Sequence, residues 1–207
     1  MPLFNDYLKR GYYPFGLENE MEIRLGQIIV QTLETDIPQY ANLNVGTSRK
    51  LKRLLSIIAE SVPFKPNFSK ISGIIDVSRN SLDDYFAYME KAGMISQLRS
   101  ETSGIRELGK VDKVYLDNTN IIYNLVGDKS NTGNIRETFF YNQMRLNNEI
   151  KASEKADFVV NDYTLEIGGK NKQQSQIEKD GKSFIVKDDI EFGYLNVIPL
   201  WAFGFNY

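Results

Sequence analysis

The spacing of the apolar residues changes near residue 150, and this change constrains the fold more than any other feature of the sequence. Before it, apolar residues recur three or four positions apart, the pattern of helices that bury one face, as in the stripe Leu51, Leu54, Leu55 and Ile58. After it come β-branched and aromatic runs separated by turn residues: DFVV, YTLEI, SFIV and IPLWAFGF. The sequence therefore predicts a mixed α+β protein whose helices come first.

The first 46 residues are predicted to form a helical segment. The stretch FNDYLKRGYYPF is rich in aromatic and turn-forming residues, and apolar residues at helical spacing then run from Met21 to Leu33. This spacing predicts a helix over roughly 18–34. Its apolar face must pack on the next module or on a partner.

Three helices are indicated in the middle of the chain. The first has Thr47 or Ser48 as its cap, and the second follows Ser69. The third begins at Ser78 and ends at Gly93.

Two short strands, MISQLRS and KVYLD, follow these helices, and the loop between them contains Gly104 and Gly109. Three helices followed by a hairpin have the order of a winged helix. Residues 47–116 are therefore predicted to form a winged-helix domain.

The last segment, residues 117–207, is predicted to be a small α/β domain. One helix follows Asp117 and Asn118, and a second spans about 134–147. The four strand runs come next, with the polar, helix-compatible stretch KNKQQSQIEKD between the second and the third.

Composition restricts the chemistry. The chain has no Cys and no His, which excludes disulfides, thiolate catalysis and histidine as a general base. A metal would have to be held by oxygen atoms, which favours Mg²⁺ or Mn²⁺. Because no apolar run is long enough for a membrane span and the N-terminus lacks a secretory signal, a soluble, cytoplasmic protein is expected.

The charge is unevenly distributed. The net charge is -2, but residues 49–115 hold twelve Lys/Arg against eight Asp/Glu, a local +4. This excess favours a polyanion such as DNA as a ligand of the middle domain. The candidate nucleic-acid-binding residues are Lys50, Arg53, Lys70, Arg79, Asn80, Arg99 and Arg106, with Lys65 as further basic support. Asp83 and Asp84, one turn beyond Arg79, oppose phosphate binding, so a protein-interaction role is the alternative.

Several stretches together resemble one family: FNDYLKRGYYPF, VPFKPNFSKISGIIDVSRNSLDDYFAYMEKAGMI, KVYLDNTNIIYNL, GNIRETFF and TLEIGGKNK. Over essentially its whole length the chain resembles the C-terminal half of a bacterial and archaeal group of AAA-type ATPases. That resemblance implies a winged helix followed by a domain of restriction-endonuclease-like topology. It also implies an ATP-binding module in the other half, because this chain has no phosphate-binding loop. No cofactor except Mg²⁺ is expected here.

In nucleases of that topology, one acid on a strand and a Glu-x-Lys on the next strand hold Mg²⁺ and supply a cation. Asp157 and Glu166 match the two acids, but Gly168 stands at the lysine position and the nearest lysine is Lys170. Glu137 matches an additional acid on the preceding helix, and its alternative role is to cap that helix or pair with a lysine. Asp157 and Glu166 are therefore weak metal ligands or structural polar groups.

The sequence thus predicts an accessory region that binds nucleic acid without catalytic activity of its own. Two alternatives remain open: a protein-interaction or oligomerisation module of the ATPase, and a Mg²⁺-dependent DNA nuclease in which Lys170 is a displaced catalytic lysine. The expected partners are DNA, the chain's own ATPase module, or a second protein, including another copy of this chain.

Overall fold

The computed structural model describes residues 1–61, 63, 65–100, 110–153, 155–173 and 181–206 of the 207-residue chain. The α-helices are α1 (Pro2–Arg10), α2 (Met21–Gln31), α3 (Ile37–Tyr40), α4 (Val45–Glu60), α5 (Phe68–Ile75), α6 (Arg79–Lys91), α7 (Thr119–Val126) and α8 (Thr132–Met144). The strands are β1 (Ile95–Arg99), β2 (Val111–Leu116), β3 (Ile150–Ala152), β4 (Phe158–Val160), β5 (Tyr163–Gly168), β6 (Ser183–Lys187) and β7 (Val197–Pro199). The prediction of a mixed α+β chain is confirmed.

One compact unit comprises residues 9–97 and 113–130 and contains α2 to α7. The stripe predicted on α4 faces its core: Leu51, Leu54, Leu55 and Ile58 are at most 2% exposed. The predicted helix over 18–34 is present as α2, continued by a π-helical turn at Thr32–Asp36. The strands β1 and β2, which follow α6, form a two-stranded sheet.

The cap of α4 differs from the predicted one, and α5 begins one residue before Ser69. Asn44 caps α4 by accepting a hydrogen bond of 3.2 Å from the backbone N–H of Thr47. The predicted caps Thr47 and Ser48 are wrong because both lie within the helix. Asn67, two residues before Ser69, caps α5 by accepting the N–H of Lys70 at 3.0 Å.

The predicted ends of α6 are confirmed. The hydroxyl of Ser78 accepts a hydrogen bond of 3.1 Å from the backbone N–H of Ser81. Gly93, just beyond the helix, has φ of 68°, a left-handed conformation that glycine adopts without strain.

The second compact unit comprises residues 1–8, 98–112 and 131–207. Its sheet has the order β3-β4-β5-β6-β7, in which β3, β4 and β5 are antiparallel neighbours and β6 is parallel to both β5 and β7. Helix α8 packs on this sheet, with the ring centroids of Phe140 and Phe158 5.1 Å apart. The predicted strands DFVV, YTLEI and SFIV correspond to β4, β5 and β6.

The N-terminal stretch FNDYLKRGYYPF is helical only in part, and the C-terminal end differs from the prediction. Residues 4–10 belong to α1, in which Phe4 and Tyr7, one turn apart, both pack on Phe139 with ring centroids 5.0 and 6.0 Å away, and Pro14–Leu17 form a 3₁₀ helix. The expected last strand is short: the chain leaves the sheet after Pro199 and forms a 3₁₀ helix over Leu200–Phe205. Its aromatic residues pack on α8 instead of entering the sheet, as Phe203 does on Phe140 at 4.8 Å.

The predicted domain boundaries at residues 46 and 116 remain predictions. Several predicted features lie outside the described residues: the loop glycines Gly104 and Gly109, the basic residue Arg106, and most of the polar stretch between β5 and β6. In the described part of the chain, no helix combines the length and the apolar character that crossing a bilayer requires.

Candidate functional site

Two neighbouring antiparallel strands bring Asp157 and Glu166 together. Phe158 of β4 pairs with Leu165 of β5, so the next pair along the ladder places Asp157 opposite Glu166. Asp157 Oδ2 accepts a hydrogen bond of 2.8 Å from the backbone N–H of Ile167. The two acids predicted from the sequence therefore lie side by side at the same end of β5.

Lys172 contacts Glu166. Its Nζ forms an ion pair with Oε1 of Glu166, whose side chain is 11% exposed. The chain reaches this position by a tight turn in which the N–H of Lys172 donates to the carbonyl of Gly169 at 2.9 Å. Lys170, the lysine considered from the sequence, is exposed to solvent.

The aliphatic part of Lys172 fills the space beside Gly168. A Cβ atom at position 168 would lie 2.7 Å from Cγ of Lys172 and 2.8 Å from both its Cβ and its Cδ. Residues 166 and 168 point to the same face of a strand, so this space is where the side chain two residues after Glu166 would lie. Lys172 thus takes the place that Gly168 leaves empty.

The electrostatics at Lys172 reflect all three acids considered from the sequence. The hydrogen bond to Glu166 raises the pKa of Lys172, burial opposes this effect, and the negative charges of Glu166, Asp157 and Glu137 raise the pKa further. The ammonium group is therefore charged at neutral pH. Glu137, on α8, is close enough to contribute to the field around it.

A second cation, not recognised from the sequence, lies next to this site. Arg136 Nε donates to Asp188 Oδ2 at 2.9 Å, and the two side chains are 16% and 7% exposed. Asp188 follows β6, and its backbone N–H donates to the carbonyl of Gly168 at 2.9 Å. The adjacency of Arg136 to Glu137 in GNIRETFF was the one signal in the sequence, and it did not reveal the contact with Asp188.

The acids suit a hard cation only as a pair. No group of three or more acidic side chains among the described residues is arranged to hold a metal ion. Mg²⁺ in phosphoryl-transfer sites commonly takes one or two carboxylates and completes its shell with water and substrate phosphate. Asp157 and Glu166 would supply two such carboxylates.

The candidate nucleic-acid-binding residues differ in exposure and in their contacts. Arg53, Lys65, Lys70, Arg79 and Asn80 are exposed. Lys50 donates to the backbone carbonyl of Asp76, and the guanidinium of Arg79 lies 5.4 Å from the ring centroid of Phe68. Arg99 is partly exposed, and Arg106 lies outside the described residues. Asp83 and Asp84 are exposed, as expected from their spacing.

Residues 1–132 match a family described as a domain of unknown function, DUF8612. The match ends at the start of α8, so it does not include Asp157, Glu166 or Lys172. No curated protein and no solved structure matches this chain.

Proposed function

The chain belongs to the DUF8612 family, a domain of unknown function, and we propose that its residues 131–207 carry a divalent-cation-dependent nuclease site of the restriction-endonuclease type that acts on DNA. The observation that supports this proposal is the position of Lys172. Its stem fills the space beside Gly168, and its ammonium is paired with Glu166. An acid, a second acid and a cation thus meet at the end of one strand pair.

The arrangement of strands also supports a restriction-endonuclease-like domain. Helix α8 precedes the antiparallel strands β3, β4 and β5. Strand β6, which is parallel to β5, follows after a crossover. Asp157 immediately precedes the second of these strands and Glu166 is on the third. This is the placement that the resemblance of the sequence implies.

Each residue has a distinct role in the proposed reaction. Asp157 and Glu166 would hold Mg²⁺, which when bound polarises a phosphate oxygen and activates water. Lys172 provides a positive charge and hydrogen-bond donors where negative charge develops on the phosphate. Because the pKa of Lys172 is raised, it acts as a cation and not as a general base. Glu137 strengthens the negative field that favours cation binding.

Substitutions that remove Lys172, or that place a lysine at position 168 instead, test this proposal. Purified protein is incubated with plasmid and single-stranded DNA in Mg²⁺ or Mn²⁺, and cleavage is followed on gels. Lys172→Ala should lower the rate about 100- to 1,000-fold, the usual effect of removing a group that stabilises developing charge. The matched control Lys170→Ala should retain activity. The double variant Gly168→Lys/Lys172→Ala should regain activity, because it returns a lysine to the same space.

The control Gly168→Ala keeps Lys172 but places a methyl group where its stem lies, so it should also lose activity. The proposal is overturned if the parent leaves DNA intact under all these conditions, or if Lys172→Ala cleaves as fast as the parent.

A second candidate function is DNA binding without cleavage, by a winged helix made of α4, α5, α6 and the β1–β2 sheet. Arg79 and Asn80 favour it, because both are exposed in the first turn of α6, where base-reading side chains belong. In this proposal the chain is an accessory region of a AAA-type ATPase, as the resemblance implies. Binding of parent protein to DNA with no cleavage would support it. Absence of binding at low salt would favour an interaction with the ATPase module or with another copy of the chain.

A further inference from the structure

The guanidinium group of Arg136 lies against Gly169. A Cβ atom at position 169 would lie 3.2 Å from Nη1, 3.3 Å from Nη2 and 3.4 Å from Cζ of Arg136. Contacts of this length are tighter than most that a real Cβ makes. Consecutive glycines therefore admit two cationic side chains from elsewhere in the chain, Lys172 at Gly168 and Arg136 at Gly169.

Arg136 is also held by an ion pair with Asp188. Its Nε donates to Asp188, and this ion pair is largely buried. The backbone N–H of Asp188 donates to the carbonyl of Gly168, and Asp188 Oδ1 accepts the N–H of Asp189 at 2.8 Å. The ends of β5 and β6 and the second turn of α8 are thus joined at the glycine pair.

The turn that presents Lys172 begins at this joint. The carbonyl of Gly169 accepts the N–H of Lys172 at 2.9 Å, so a shift of Gly169 moves the backbone of Lys172 with it. The ammonium must still reach Glu166, which the sheet holds in a buried position. The position of Lys172 consequently depends on Arg136, whose side chain packs on Gly169.

We propose that Arg136 is a positioning residue for Lys172: with Asp188 it holds Gly168 and Gly169 so that the following turn delivers the ammonium to Glu166. The part of this inference that makes Lys172 a catalytic residue rests on the proposed nuclease function. The geometric part can be measured without any cleavage.

The test compares the chemical accessibility of two lysines in one protein. Limited acetylation with acetic anhydride, followed by mass spectrometry, gives the ratio of the initial labelling rates of Lys172 and Lys170. In the parent this ratio should be low, because Glu166 binds the ammonium of Lys172 while Lys170 is exposed. Arg136→Met should raise the ratio severalfold, and Arg136→Lys should raise it less. The matched control Arg24→Met removes an exposed arginine that pairs with Glu18 and should leave the ratio unchanged.

Gly169→Ala provides a second variant in case Arg136→Met fails to fold. It removes no charge, but its methyl group would lie 3.2 Å from Nη1 of Arg136, so the guanidinium must shift by a few tenths of an ångström and the labelling ratio should rise here too. Where the parent cleaves DNA, Arg136→Met should lower kcat by about 100-fold, the effect of misplacing a reacting group by an ångström, and leave KM for DNA unchanged. A folded Arg136→Met or Gly169→Ala protein with the parent's labelling ratio overturns the inference. A raised ratio supports it even if the parent cleaves no DNA, a result that would count against the nuclease proposal alone.

Discussion

The carboxylate of Asp157 accepts a hydrogen bond of 2.8 Å from the backbone N–H of Ile167, the residue that follows Glu166. This bond gives Asp157 a structural role in addition to the cation-binding role proposed for it. The two roles can be separated, because asparagine accepts the same hydrogen bond without carrying a charge.

Asp157→Ala should therefore destabilise the fold by about 1–3 kcal/mol, since it leaves the N–H of the buried Ile167 without its partner. Asp157→Asn should destabilise it less, yet both variants should lose metal-dependent cleavage. Urea unfolding measures the first effect and a plasmid assay the second. If Asp157→Asn cleaves as well as the parent, the carboxylate is structural only.

The stability of the protein should depend on pH through Lys172 only under alkaline conditions. The hydrogen bond to Glu166 raises the pKa of Lys172 above its usual 10.5. A raised pKa means that the contribution of Lys172 to the free energy of unfolding is complete below the unfolded pKa and is lost as pH rises through the folded pKa. The difference in unfolding free energy between the parent and Lys172→Met should be constant from about pH 7 to pH 9.5 and shrink at higher pH. A difference that disappears between about pH 7 and pH 8.5 would contradict the ion pair.

The start of α5 offers a direct test of a cap. Asn67→Ala should destabilise the protein by about 0.5–2 kcal/mol, because the N–H of Lys70 loses its acceptor. Ser69→Ala, two residues later, is the matched control and should change the free energy of unfolding by less than about 0.5 kcal/mol. Thermal or urea unfolding compares the two variants. A larger loss for Ser69→Ala would contradict the assignment of the cap to Asn67.

DNA binding by the unit of residues 9–97 and 113–130 should depend on Arg79. If Arg79 contacts a phosphate, Arg79→Glu should weaken duplex binding. It should also make the negative slope of log affinity against log salt concentration less steep by about 0.9. The matched control is Arg24→Glu, which makes the same charge change at another exposed arginine of that unit. Fluorescence anisotropy over a salt series measures both. Equal losses in the two variants would indicate a general charge effect and not a specific surface.

The helices and most strands could be predicted because their signals are local. The apolar stripe of α4 and the cap and glycine of α6 lie within one element, so spacing alone identifies them. Asp157 and Glu166 could also be paired, since neighbouring strands separated by a short turn are usually antiparallel. These parts of the candidate site follow from short-range patterns.

The contact of Lys172 with Glu166 could not be predicted, because the position of Lys172 depends on a turn and not on a strand. Continuing β5 as a straight strand indicates Lys170, which would share a face with Glu166. The chain instead turns at Gly169 and brings Lys172 back over Gly168. The 3₁₀ helix at Leu200–Phe205 escaped prediction for a similar reason, since an aromatic run fits a strand or a turn packed on α8 equally well.

The space beside Gly168 also affects how related sites can be found. A search for Glu-x-Lys does not find Glu166, because Lys172 follows it by six positions while filling the space of a side chain two positions away; the pattern matches this chain at Glu149-Ile150-Lys151 instead. A search that accepts Glu-x-Gly-Gly-x-x-Lys would include it. Under the proposed nuclease function, sequences that lack the nearer lysine but match the longer pattern are candidates for the same assay, with a small residue two positions after the glutamate as the sign that a later side chain fills its space.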